Sequence, residues 1–227
     1  MAKSKKKQDS KAMGGVEETL TRTEQFIEDN YRSLLYGLAI VVVIVGAVWL
    51  VKNHLEKRTE DALSQMYVAE NYFAKDSLNL AVYGDGNYLG FLDIANEYKM
   101  TKAGNLANYY TGVCFLRMGE FEDAIEFLEK FKKKDKAISP VALGCIGDAF
   151  VELNDIENGI QYYMRAVDYS ENSFYNPIYL LKAGQLYEMS GNMKKALEMY
   201  QTIKEKYPDS NEGNNIEKYI ARVKVSE

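Results

Sequence analysis

Apolar and polar positions alternate at helical spacing along most of the chain, but at residues 34–51, LLYGLAIVVVIVGAVWLV, eighteen residues pass without a charge. As a helix rising about 1.5 Å per residue this stretch covers roughly 27 Å, close to the hydrocarbon thickness of a bilayer. It is apolar around its whole circumference, which core helices of soluble proteins rarely are. The pattern predicts one transmembrane helix, bracketed by Arg32 and Lys52, with Tyr36 and Trp49 near its ends where amphipathic rings favour the interface. A signal peptide would have a shorter apolar core and a small-residue cleavage site; KNHLEKRTE follows instead, so an uncleaved anchor is expected.

Ahead of the anchor, residues 1–15 are basic and poor in apolar side chains, with five lysines against one aspartate in residues 1–11. This reads as a disordered tail that resists translocation and has the charge to touch anionic headgroups or RNA. The expected topology is N-terminus in the cytoplasm and residues 60–227 outside it. Within about twenty residues of the span, two basic residues precede and three follow, so the local charge rule does not itself decide. Residues 16–33 place Val16, Leu20, Ile27 and Tyr31 on one stripe that runs into Leu34, an amphipathic lead-in helix that suits lipid, a partner or simple extension of the anchor.

Beyond the anchor, the composition predicts a helix from Glu60 to Leu80, a turn at AVYGDGN (81–87) and a second helix from Tyr88 to Tyr98, within an N-terminal region 60–104. From there the chain repeats. LANYYTGVCFLRMGEFEDAIEFLEKF from Leu106, VALGCIGDAFVELNDIENGIQYYMRA from Val141 and IYLLKAGQLYEMSGNMKKALEMYQTI from Ile178 align with Gly112, Gly147 and Gly184 in register. An aromatic follows each (Phe115, Phe150, Tyr187), then a turn residue (Gly119, Asn154, Gly191), a small residue (Ala124, Gly159, Ala196) and a large one (Leu128, Tyr163, Tyr200). These intervals predict three helix-turn-helix repeats over 105–208, and Ile216, Tyr219, Ile220 and Val223 form the stripe of a capping helix within 209–227. The fold class is all-α: a single N-terminal transmembrane helix followed by an α-solenoid.

Charge and chemistry narrow the function. The chain carries a net −5, and residues 52–227 hold 21 Lys+Arg against 27 Asp+Glu, so no nucleic-acid partner is expected for the folded domain. The one histidine, His54, adjoins the anchor, and no His/Cys/Asp set has ligand or nucleophile spacing. Neither an enzyme nor a metal or cofactor site is expected. Cys114 and Cys145 occupy non-equivalent repeat positions and are expected as two buried thiols, although an oxidising compartment would permit a bridge.

What remains is a binding surface on the first helix of each repeat. The register assigns to it Leu106, Tyr109, Val113, Leu116 and Arg117; Val141, Gly144, Asp148, Val151 and Glu152; and Ile178, Leu181, Gln185, Glu188 and Met189.

The repeats resemble the tetratricopeptide repeat (TPR), in which small residues let paired helices approach and large ones fill the space between them. The copies depart from the pattern at Gly159, Phe131 and Ile203, and only the last has its terminal proline, Pro208. Tyr88 to Tyr98 resembles the second helix of a degenerate earlier repeat. Domains of this kind that clamp chaperone tails place Lys and Asn where this chain has Tyr109/Val113, Gly144/Asp148 and Leu181/Gln185, so clamp chemistry is not expected.

The layout of tail, anchor and repeats, with VEETLTRTEQFIEDNYRSLLYG leading into the span, resembles the bacterial YfgM family, ancillary to the SecYEG translocon. That resemblance implies an inner-membrane protein with periplasmic repeats. Its implied partners are the SecYEG translocon, a membrane-anchored periplasmic chaperone or prolyl isomerase, nascent secretory proteins and the lipid bilayer. A scaffold for another envelope complex, in outer-membrane assembly or cell division, is the alternative.

Overall fold

The repeat signature recurs in three-dimensional form as one way of ending a helix. In the computed structural model, side chains are described for residues 30–225, and the helices are α1 (Ala2–Ala74), α2 (Leu78–Tyr83), α3 (Phe91–Glu97), α4 (Lys102–Met118), α5 (Phe121–Lys130), α6 (Ile138–Glu152), α7 (Ile156–Tyr169), α8 (Asn176–Met189), α9 (Met193–Lys206) and α10 (Ile216–Ser226). Among the described residues every regular element is helical. The tail at 1–15 and most of the lead-in segment at 16–33 lie outside the residues whose side chains are described.

Two units divide the chain, residues 1–54 and 55–227. In the first, α1 is long and apolar enough to cross a membrane by length and composition, and none of its most apolar window is buried in the protein. Its side chains from Leu34 through Val51 are exposed.

The second unit is the helical repeat. Asp76, Gly119, Asn154 and Gly191 all take the left-handed conformation, at φ of 59°, 81°, 59° and 76°. In each case the following amide donates across the turn: Ser77 to the Tyr72 carbonyl, Glu120 to Phe115, Asp155 to Phe150 and Asn192 to Tyr187, at 2.8–2.9 Å. This closure satisfies carbonyls that a helix end leaves orphaned. Asp155 and Asn192 then cap the next helices through the amides of Asn158 (3.1 Å) and Lys195 (3.2 Å).

The closure at Asp76 makes the end of α1 equivalent to the ends of α4, α6 and α8. Ala69, seven residues earlier, is buried and matches Gly112, Gly147 and Gly184. The helix expected from Glu60 to Leu80 therefore stops at Ala74, and the expected turn at 81–87 begins inside α2. The expected helix from Tyr88 to Tyr98 is shortened to α3, because the chain from Gly84 to Gly90 is a loop. The second helix of this earliest repeat is thus split. Ala81 in α2 takes the small position and Phe91 in α3 the large one, both fully buried, and the loop between them lengthens the interval from Asp76 to Gly119 to 43 residues, against 35 and 37 later. Asp85 holds the loop to α1, accepting from the Tyr72 hydroxyl (2.8 Å) and from the amides of Asn87 (2.9 Å) and Tyr88 (2.8 Å).

Within each pair the aligned glycine meets the aligned large residue. A Cβ on Gly112 would stand 2.5 Å from Leu128 Cγ, one on Gly147 2.7 Å from Tyr163 Cδ1, and one on Gly184 2.4 Å from Tyr200 Cε1. Ala124, Gly159 and Ala196 are buried at the facing positions. Between pairs, Phe91 stacks on Tyr110 (4.8 Å, 9°) with Phe73 edge-on to both, joining the split repeat to α4. Each fully buried Leu, Ile or Phe of this core contributes about 1.5–3 kcal/mol.

Capping closes the far end. Ile216, Ile220 and Val223 of α10 are buried against Tyr200 and Ile203 of α9. Glu188 on α8 accepts a two-pronged bond from Arg222 on α10, Nε at 2.6 Å and Nη2 at 2.7 Å, and a third from the Tyr200 hydroxyl at 3.0 Å. Arg222, then Tyr200, hold this carboxyl below its ordinary value.

Candidate functional site

The first helices α4, α6 and α8 expose a shared face because their partners α5, α7 and α9 cover the other side. At its centre Asp148 on α6 accepts from Lys182 Nζ on α8 and from the Tyr163 hydroxyl on α7, each at 2.5 Å. Tyr163 is buried, and burial together with the Asp148 carboxylate pushes its hydroxyl well above the ordinary tyrosine value, so it stays a donor. Lys182 also lies over the Tyr163 ring, 5.4 Å from its centroid.

Around this knot opens a cavity of about 660 Å³, with Leu116, Arg117, Phe121, Asp148, Val151, Glu152 and Lys182 among its lining. Five of the sequence-assigned residues meet here: Leu116, Arg117, Asp148, Val151 and Glu152. Arg117 is tied to Asp76 at 2.7 Å and lies over Phe73, 5.3 Å from its centroid. Apolar side chains and charges of both signs line the cavity; Asp148 and Lys182 pair with each other, and Arg117 pairs with Asp76.

The other assigned residues are distributed elsewhere. Leu106 lines a second cavity, of about 560 Å³, at the opposite ends of the helices. Tyr109 is half-buried, with its ring centroid 5.5 Å from that of Tyr110 and 5.6 Å from that of Phe131, and burial lifts its hydroxyl to about 12. Val113 packs against the same middle core as Tyr109. Gly144 is filled by Tyr179, whose Cε1 would be 2.2 Å from an added Cβ. Leu181 packs against the last core cluster, and Glu188 is engaged by Arg222 and Tyr200. Val141, Ile178 and Gln185 are partly exposed and Met189 is exposed, none of them in the first cavity.

Sequence register missed Lys182, Tyr163 and Phe121. Lys182 corresponds to Tyr110 and Cys145 in the other copies, where no shared chemistry flags the position, and Tyr163 was read only as the large packing residue. Cys114 and Cys145 are separate thiols, the first buried and the second half-buried, and burial raises both to about 12. Among the described residues no group of three His, Cys, Asp or Glu is placed to hold a metal ion.

Comparison with known proteins places this geometry in a class. Residues 106–136 and 179–210 match one tetratricopeptide repeat family, and residues 143–173 match a second of the same description. No curated protein matches the chain in sequence. Among solved structures, MamA is 21% identical, covers 72% of this chain and 90% of its own, and superposes with a TM-score of 0.54. A Podosopora anserina putative kinesin light chain with nearly identical TPR-like repeats is 12% identical, over 74% of this chain and 87% of its own, with a TM-score of 0.55. At these identities the likeness concerns the fold. Residues 106–136, 143–173 and 179–210 carry tetratricopeptide repeats, and the fold is of the all-α, TPR-type helical-repeat class. That class works as a protein–protein interaction scaffold and is typically non-catalytic.

Proposed function

We propose that the chain is a membrane-anchored, non-enzymatic interaction subunit whose face on α4, α6 and α8 holds an extended segment of a protein partner. The cavity between Leu116, Val151 and the Asp148–Lys182 pair carries this reading, since it sets apolar side chains beside fixed polar groups and has no set of groups convergent for catalysis. The exposed apolar helix at 34–51 supports the anchor.

The resemblance to the YfgM family supports a finer reading. The protein is an accessory subunit of the bacterial Sec translocon, single-pass in the inner membrane, with its repeats in the periplasm beside a membrane-anchored chaperone or prolyl isomerase and emerging secretory chains. Purification of the full chain from mild detergent, with identification of co-purifying membrane proteins, tests this. Translocon subunits are the expected companions; a set containing only outer-membrane assembly or division proteins would replace the translocon reading with the other scaffold. Protease added to intact spheroplasts tests topology, with digestion of 60–227 expected and protection contradicting it.

A further inference from the structure

The second cavity has a different chemistry from the first. Lys99, from the α3–α4 connection, Lys102, at the start of α4, and Lys132 and Lys134, from the α5–α6 connection, line it together with Met100, which is 70% exposed. Asn105 fixes the first turn of α4 to the α5–α6 connection, its Nδ2 donating to the Lys132 carbonyl (3.3 Å) and its Oδ1 accepting the Lys132 amide (2.6 Å). Lys133, between the two outward lysines, turns inward and donates to the carbonyls of Leu128 (2.6 Å) and Phe131 (3.2 Å), closing α5.

None of the four outward lysines makes an ion pair among the described residues. The acid in the lining, Asp135, commits its carboxylate to the amides of Ala137 and Ile138 at the start of α6, each at 2.7 Å. Four lysines are therefore gathered around the single carboxylate of Asp135, leaving a positive excess at this edge in a domain whose net charge is negative. An anion placed over this edge would be attracted by that excess charge.

Chain connectivity indicates which anion. Arg58 Nη2 donates to the Glu97 carbonyl at 2.9 Å and its guanidinium lies 5.2 Å from the Tyr98 ring centroid, so the α3–α4 connection carrying Lys99 begins beside Arg58. Arg58 lies seven positions after Val51, the end of the apolar stretch, a length that reaches at most about 25 Å even when fully extended. With residues 34–51 in a bilayer, that covalent limit holds Arg58, and the connection that begins beside it, within about 25 Å of the end of the span. An exposed methionine among lysines is also the composition of a surface that rests on lipid.

We propose that the edge formed by Lys99, Met100, Lys102, Lys132 and Lys134 binds the anionic headgroups of the membrane that anchors the chain, and so orients the repeat domain on that membrane. The proposal rests on the anchor reading.

The test uses the full chain in nanodiscs of phosphatidylcholine, with or without phosphatidylglycerol, each containing a headgroup nitroxide lipid. A fluorophore is attached through Met100→Cys; the parent chain, with Cys114 buried and Cys145 half-buried, sets the background. Quenching should be several-fold stronger in the anionic discs, fall with added salt, and drop to the neutral level when Lys99, Lys102, Lys132 and Lys134 are all changed to Gln. A chain that enters both discs with equal quenching overturns the edge and leaves the anchor standing. A chain that enters neither overturns the anchor, and the edge with it. Binding of an acidic glutamate–leucine peptide to these lysines without lipid-dependent quenching assigns the edge to a protein partner and rejects the lipid surface.

Discussion

Lys182 on α8 and Asp148 on α6 meet at 2.5 Å across the face of the repeats, and the Tyr163 hydroxyl shares the same carboxylate oxygen. Three helices of two repeats are thereby fixed around one acid. Asp148→Ala strands the buried Tyr163 hydroxyl and should cost about 1–3 kcal/mol. Lys182→Met removes a cation whose side chain is 37% exposed and should cost under about 1 kcal/mol. Urea midpoints of the two variants check the order; equal losses would mean that the hydroxyl finds another partner.

Gly184 faces Tyr200, a fully buried ring with no room to withdraw. Gly184→Ala should cost about 1–3 kcal/mol through overpacking, as should Ala196→Leu on the facing helix. Thermal melts that stay unchanged in both variants would mean that α8 and α9 are not packed in this register.

Acid should loosen the cap first. Glu188 has its folded pKa depressed below the ordinary 4.5, chiefly by Arg222. Such a group stabilises fully above its unfolded value, and its contribution is lost as pH falls through the folded value. Hydrogen-exchange protection of residues 216–225 should therefore drop below about pH 4.5 before that of α9 does, and Arg222→Met should flatten the dependence. A cap that keeps its protection to lower pH than α9 would contradict this role.

Tyr109 separates what the sequence could and could not reveal. Its register puts it on the first helix's open side, but Phe131, a bulky residue where the repeat pattern has a small one, packs beside its ring and leaves it half-buried. The change Tyr109→Ala should cost about 3 kcal/mol. Melting close to that of the parent would return Tyr109 to the surface.

Periodicity made the three later pairs legible because the glycine, turn and large positions are each imposed by close approach of two helices. The earliest repeat was harder to read, since a loop splits its second helix and Asp76 replaces the expected Gly or Asn at the closing turn. Lys182 was invisible for another reason: its importance lies in a partner 34 residues away, and no local pattern encodes that pairing.

Site-specific photocrosslinking in intact cells tests the central claim most directly. A crosslinker at Val151, inside the groove, should give adducts with translocon subunits, a membrane-anchored chaperone or secretory chains, whereas one at the exposed Glu157 on α7 should not. Adducts of equal yield from both positions, or none from Val151, would contradict a binding face on α4, α6 and α8.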